Sequence, residues 1–284
     1  MPLEGKAPWW TGGQFSLDAT RYARHVGGLR GGIQLWDAAT GRQLGWLDDK
    51  EEKDEGGMKG EMIAFSGDRK RMAAVIFNGL RVWDVASQAT IRTLENDTTT
   101  IFNYWHSLAL SADGSRLAAF SLGIHNEWVP FLKVFDVATG REEYVLRPPE
   151  LGTSLPDAPL QNKHKVWLAW MDGPLVPDAP LQFALDGTRL LMLLAKTDLA
   201  IWKLEPGGRR TLGVLFKAES AGWVAAALSP DGRRVAACDV AGTLRLWNAD
   251  DGQPILTVRG ERGGGFRQLR FSPDGRWLAA CAGE

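Results

Sequence analysis

One phrase recurs six times along this 284-residue chain, and each copy ends in a tight turn. It reads Phe271-Ser272-Pro273-Asp274-Gly275 near the C-terminus and Leu228-Ser229-Pro230-Asp231-Gly232 one unit earlier. Weaker copies centre on Asp186, Asp113, Asp68 and Asp18, so the aspartates fall at intervals of 50, 45, 73, 45 and 43 residues. A period in the mid-forties marks an array of strand-based units. It moves the functional question from catalysis towards surface recognition.

Each unit has the pattern of a hairpin followed by further strands. Pro230-Asp231-Gly232 suits a short turn, because proline presets φ and glycine takes positive φ without a Cβ penalty. Apolar residues alternate before the turn, as in Ile63 and Phe65, Leu108 and Leu110, Leu181 and Phe183. Four residues after the aspartate stands Tyr22, Met72, Leu117, Leu190, Val235 or Leu278. Period-two alternation on both sides of a turn predicts two antiparallel strands.

A third strand ends in an aromatic followed by a polar residue: Trp36-Asp37, Trp83-Asp84, Phe135-Asp136, Trp202-Lys203 and Trp247-Asn248. Three residues before each aromatic stands Ile33, Leu80, Leu132, Leu199 or Leu244. One face of this strand is thus aliphatic and the other aromatic, which requires burial on both. Turns such as Ala138-Thr139-Gly140 lead to a fourth strand, for example Ile255 to Val258. Four short strands per unit, stacked radially, predict an all-β propeller of antiparallel four-stranded blades.

The Leu-Trp-Asp endings and Ser-Pro-Asp-Gly turns resemble those of WD-repeat β-propellers, particularly the loosely conforming bacterial type, from about Trp10 to Cys281. The resemblance implies about six blades in a single domain spanning 1–284, or seven if the 147–179 insertion forms part of one. The Gly-His pair that opens such repeats is absent, so the family's His–Asp network is not carried over. Asp37, Asp84 and Asp136 are expected to bond their own turns instead.

Lys and Arg number 33 against 34 Asp and Glu, a net charge of −1 that argues against a general binder of nucleic acid. Met1 to Trp10 lacks the pattern of a signal peptide, and no stretch has the length of a membrane span. Cys238 and Cys281 occupy the same repeat position and read as small buried residues in a reducing compartment, hence a cytoplasmic expectation. The sixth unit has room for only its first two strands. By the resemblance, Met1 to Trp10 could supply one strand to close the ring but hardly two, which predicts a truncated array or a blade completed by a partner, with self-association through that blade as one form.

Length variation falls in Asp48–Gly60, Glu95–Asn103, Ser121–Pro130 and Arg147–Ala179, all in connections that emerge on one face of such a disc. Variable loops on a rigid scaffold are where binding resides. The largest insertion repeats Pro156-Asp157-Ala158-Pro159-Leu160-Gln161 as Pro177 to Gln182. It is either a local duplication or a lid displaying Trp167 and Trp170. His125 and Trp128 lie in a second loop, and Trp105 and Trp223 begin inner strands, where each either packs or joins a partner-binding patch. Asp48 to Glu55 reads as a solvated acidic loop, without the spacing of a calcium site. Arg21, Arg71, Arg116, Arg189 and Arg234 recur three residues after the turn aspartate. They read as solvated residues covering apolar surface with their stems, or as an anion-binding ring.

No metal-ligand spacing, phosphate loop or nucleophile motif is present, so the expected catalytic, metal and cofactor-binding residues are none. Asp113, Asp186, Asp231 and Asp274 are structural repeat positions, as are the aromatics and their aspartates. The leading expectation is a non-enzymatic scaffold presenting one loop-rich face to a protein, with no nucleic acid or membrane partner. The rival is an enzyme or small-molecule binder with a pocket on the axis.

Overall fold

A computed structural model describes residues 13–16, 18–26, 32–48, 62–76, 79–95, 105–121, 131–146, 181–195, 198–205, 209–219, 222–260 and 266–282. Every regular element among them is a strand. The first sheet holds β1 (Gly13–Phe15), β2 (Arg21–Val26), β3 (Gly32–Asp37) and β4 (Gln43–Asp48). The second holds β5 (Ile63–Phe65), β6 (Arg71–Ile76), β7 (Gly79–Asp84) and β8 (Thr90–Glu95). The third holds β9 (Trp105–Leu110), β10 (Arg116–Ser121), β11 (Phe131–Asp136) and β12 (Glu142–Leu146). The fourth holds β13 (Leu181–Phe183), β14 (Arg189–Ala195), β15 (Asp198–Leu204) and β16 (Arg210–Lys217). The fifth holds β17 (Trp223–Leu228), β18 (Arg234–Asp239), β19 (Thr243–Asn248) and β20 (Pro254–Arg259). The sixth has β21 (Phe266–Phe271) and β22 (Leu278–Ala282) alone among the described residues.

Within every sheet, strands pair antiparallel in chain order, because each connection is too short for a crossover. First strands adjoin one another in succession, β1 to β5, β9, β13, β17 and β21, so the sheets stack like propeller blades. The all-β expectation holds, and among the described residues the sixth unit shows only its first two strands, as expected. The 147–179 insertion, on which a seventh blade would depend, lies outside the described residues.

The core consists of five apolar clusters, and each fills one space between consecutive sheets. Strand alternation explains this. On β10, Leu117 and Ala119 face the second sheet, whereas Ala118 and Phe120 face the fourth. On the third strands the aliphatic residues Ile33, Leu80, Leu132, Leu199 and Leu244 are all at most 5% exposed. Trp83, Phe135, Trp202 and Trp247 are buried on the opposite face, and Trp36 is half-buried. Beside each aromatic the register with the fourth strand slips by one residue: at Leu35/Trp36, Val82/Trp83, Val134/Phe135, Ile201/Trp202 and Leu246/Trp247. Such bulges re-aim a side chain without ending the strand.

The cysteine expectation needs one correction. Cys238 is buried and faces the sixth sheet, its Sγ 3.3 Å from the Phe266 carbonyl oxygen, and burial pushes its thiol up to about 11. Cys281 occupies the same register position on β22 but is exposed, because no described sheet covers the outer face of the sixth. Both thiols are free. A thiol-specific reagent at pH 8 is therefore expected to label Cys281 rapidly and Cys238 only on unfolding. Equal labelling rates in the folded protein would contradict this packing.

Candidate functional site

The topology gives the stacked sheets two unlike rims. One carries the turns joining first to second and third to fourth strands. The other carries the connections from second to third strands and from sheet to sheet.

On the turn rim, polar groups are consumed locally. Ser16, Ser66, Ser111, Ser229 and Ser272 each donate Oγ–H to the carboxylate two residues on, at 2.5 to 2.8 Å. Each serine Oγ also accepts the backbone N–H five residues on, at 2.8 to 3.0 Å. The turn aspartate then receives a backbone N–H from two residues ahead, as Arg233 donates to Asp231 at 3.0 Å. In the third-to-fourth turns, Asp37, Asp84 and Asp136 each accept the backbone N–H and hydroxyl of Thr40, Ser87 and Thr139. The local turn-bonding role expected of these three aspartates is the observed one.

These bonds set the acid response. Burial opposes ionisation of Asp113 and Asp231, but hydrogen bonds from Ser115 and Ser111, and from Ser229 and Arg233, outweigh it and hold both carboxyls below the usual range. Hydrogen bonds from Thr40, Ser87 and Thr139 do the same for Asp37, Asp84 and Asp136. A depressed folded pKa contributes stability that is complete above the unfolded value of about 3.9 and disappears as pH falls through the lower folded value. Melting temperature should therefore hardly respond to these groups between pH 5 and 8 and should fall steeply below about pH 4. An Asp231→Asn variant should show a shallower acid decline in a pH series of thermal melts. An identical decline would remove Asp231 from the account.

The recurring arginines have a role that the sequence reading missed. Arg71, Arg116, Arg189 and Arg234 donate to the carbonyl oxygens of Gly114, Gly187, Gly232 and Gly275, at 2.8, 3.2, 2.8 and 2.5 Å. Each acceptor is the turn glycine of the next sheet, so the guanidinium groups clip each blade to its successor. Neither the solvated-stem reading nor the anion ring describes them. Arg21 instead pairs with Asp37 at 3.0 Å, and Arg69 reaches Asp18 of the first sheet at 2.7 Å. The only signal for this in the sequence was the constant spacing from a turn glycine that must expose its carbonyl.

The opposite rim is where the long connections attach. Trp105 begins β9 and is 9% exposed, its ring edge-on to Phe131 with centroids 5.7 Å apart. Trp223 begins β17 and is 2% exposed, edge-on to Trp247 at 5.7 Å. Both rings are packed between sheets. His125, Trp128, Trp167 and Trp170 lie outside the described residues, as does the acidic loop after Asp48. Towards the axis, the described first strands (β1, β5, β9, β13, β17 and β21) carry no carboxylate. Gln182 on β13 is spent on both backbone groups of Leu228 on β17, accepting its N–H at 3.0 Å and donating to its carbonyl at 3.2 Å. Among the described residues no three His, Cys, Asp or Glu side chains gather to hold a metal, and no helix is long and apolar enough to cross a membrane.

Against this architecture, the family described as WD domain, G-beta repeat matches residues 211–248 and 252–284. These two segments carry WD repeats. The first match runs from β16 through β19 and the second from β20 through β22, so a WD unit takes its opening strand from one sheet and the rest from the next. That offset ties consecutive blades covalently as well as by packing. WD repeats commonly mediate protein–protein interaction. No curated protein matches the chain at a significant level.

Proposed function

We propose that this WD-repeat chain is a non-enzymatic scaffold that holds a protein partner on its loop-bearing rim. The asymmetry of the two rims supports the reading most directly. On the turn rim, the serines, aspartates and arginines are engaged in short local bonds and blade-to-blade clips. On the other rim, buried Trp105 and Trp223 brace the strand starts from which the variable connections leave. Rigid strands with variable loops at one end are suited to recognition. His125, Trp128, Trp167 and Trp170 supply the large rings that dominate interface energetics. Two free thiols fit a reducing, cytoplasmic setting.

The test is affinity capture with three forms of the chain. These are the intact protein, a Trp167→Ser/Trp170→Ser variant, and a Lys70→Glu/Arg233→Glu variant altered at exposed turn-rim positions. A partner retained by the first and third but lost by the second is the expected result, with matching circular dichroism melts to exclude misfolding. Loss only on altering the turn rim would overturn the proposal.

A further inference from the structure

Five Asp–Gly pairs lie among the described residues: Asp113-Gly114, Asp186-Gly187, Asp231-Gly232, Asp251-Gly252 and Asp274-Gly275. All five aspartates are exposed, and each glycine N–H donates to a backbone carbonyl three or four residues back, at 2.8 to 2.9 Å. Such a pair sets a nucleophile, the glycine nitrogen, beside an electrophile, the aspartate side-chain carbonyl carbon. Only the turn restrains the two. Around Asp113, Asp231 and Asp274 a serine two residues back donates its Oγ–H to the carboxylate, at 2.8, 2.6 and 2.5 Å. The same Oγ accepts a backbone N–H from the far side of the turn. In the fourth sheet Ala184 stands in place of that serine. Leu185, 46% exposed, stands where the next two sheets have Pro230 and Pro273, whose rings fix φ. Asp186 is held instead by the backbone N–H and hydroxyl of Thr188, at 2.9 and 2.7 Å. The surroundings of Gly187 are loose as well. A Cβ built there would find its nearest neighbour at 3.8 Å, against 2.6, 2.9, 2.9 and 3.5 Å at Gly114, Gly232, Gly252 and Gly275. The clip from Arg116 to the Gly187 carbonyl is 3.2 Å, the longest of the four.

We propose that Asp186-Gly187 is a covalent modification site, at which aspartate isomerises to isoaspartate and opens the joint between the third and fourth sheets. The Gly187 nitrogen leaves the Ala184 carbonyl and attacks the Cγ of the neutral Asp186 carboxyl. The new C–N bond closes a five-membered succinimide ring, and the amide hydrogen and the carboxyl hydroxyl depart as water. Water then adds to a ring carbonyl. Opening at the main-chain carbonyl of Asp186 leaves the chain running through its side chain, with a free α-carboxylate and no change of mass or oxidation state. The main chain is now one carbon longer between the Asp186 Cα and Gly187. The turn cannot then keep both the Gly187 N–H on Ala184 and the Gly187 carbonyl under Arg116. The site lies on the turn rim, so it stands or falls independently of partner binding on the other.

The test holds the folded protein at pH 6 and 37 °C for several weeks. Electron-transfer fragmentation of its peptides then assigns isoaspartate to individual positions. Isoaspartate is expected to accumulate about fivefold faster at Asp186 than at Asp113, Asp231 or Asp274, the effect on a barrier of one missing hydrogen bond. It should also form faster than at Asp251, where the Val214 side chain crowds Gly252. In urea the five rates should converge, because all share the same dipeptide. Ala184→Ser should slow Asp186 to the rate of Asp231, and Ser229→Ala should raise Asp231 to the rate of Asp186, with circular dichroism melts certifying each fold. Equal rates at Asp186 and Asp231 in the folded protein, or rates unmoved by both substitutions, would overturn the proposal. A difference that persists in urea would assign the effect to local sequence and overturn it equally.

Discussion

Replacing Trp202 by alanine is expected to cost about 3–5 kcal/mol, while replacing it by phenylalanine should cost less than about 1.5 kcal/mol. Trp202 is 4% exposed and packs between the third and fourth sheets with Leu132, Leu146, Leu190 and Leu204. Alanine leaves a cavity that strands fixed on both sides cannot collapse to fill. Phenylalanine keeps most of the ring, and the third sheet already uses Phe135 at the same repeat position. The indole Nε1 of Trp202 has no hydrogen-bond partner among the described residues, so phenylalanine removes a buried unpaired donor and recovers part of what its smaller volume loses. Urea titrations of both variants followed by fluorescence and circular dichroism give the comparison. Because domains are stable by only about 5–15 kcal/mol, the alanine change should remove a large fraction of the total. Comparable losses from the two variants would mean that the phenylalanine ring does not hold the space of the indole, and the volume argument would fail.

That aromatic column shows why the fold was legible in the sequence. A residue whose two strand faces are both apolar must sit between two sheets, and the repeat spacing says how many times this happens. The alternation at Leu117, Ala118, Ala119 and Phe120 already encodes two separate buried faces on one strand. The turn roles of Asp37, Asp84 and Asp136 were equally legible, because an aspartate three residues before a threonine or serine can satisfy that residue's N–H and hydroxyl without help from elsewhere.

What stayed hidden were contacts between units. A periodic arginine looks the same whether its guanidinium meets water or the next sheet's carbonyl; only stacking brings Arg189 to Gly232. The bulge beside each aromatic was hidden for a similar reason. It depends on the fit of third to fourth strand, which the period-two pattern does not encode. Cys281 differs because equivalence in sequence is not equivalence in surroundings: among the described residues, the sixth sheet has no neighbour like the one that buries Cys238 in the fifth. The proposed site was legible only as loop lengths and ring content. Partner chemistry resides in loop conformation, for which no repeat rule exists.

The clip itself can be probed through two glycines with the same backbone and unlike surroundings. Gly41 and Gly232 have φ of +69° and +70°, the left-handed region where a Cβ costs about 1–2 kcal/mol. A Cβ built on Gly41 meets nothing within 4 Å, so Gly41→Ala should lose only that penalty, less the roughly 0.4–1 kcal/mol that alanine gains by restricting the unfolded chain. At Gly232 the added atom would lie 2.9 Å from the Ala184 Cβ and 3.2 Å from the Arg189 Cδ, both in the preceding sheet. Relief requires the turn to retreat from that sheet, which overpacks the contact at a typical cost of about 1–3 kcal/mol and stretches the 2.8 Å bond from Arg189 to the Gly232 carbonyl. Gly232→Ala is therefore expected to destabilise by about 2–4 kcal/mol, at least twice the effect of Gly41→Ala, in parallel urea melts. An Arg189→Met background should shrink the difference, because the clip is then already absent and the turn is freer to move. If the two alanine variants lose stability equally with Arg189 intact, the sheets are not held by close approach at this turn, and their cohesion comes from the aromatic and aliphatic clusters alone.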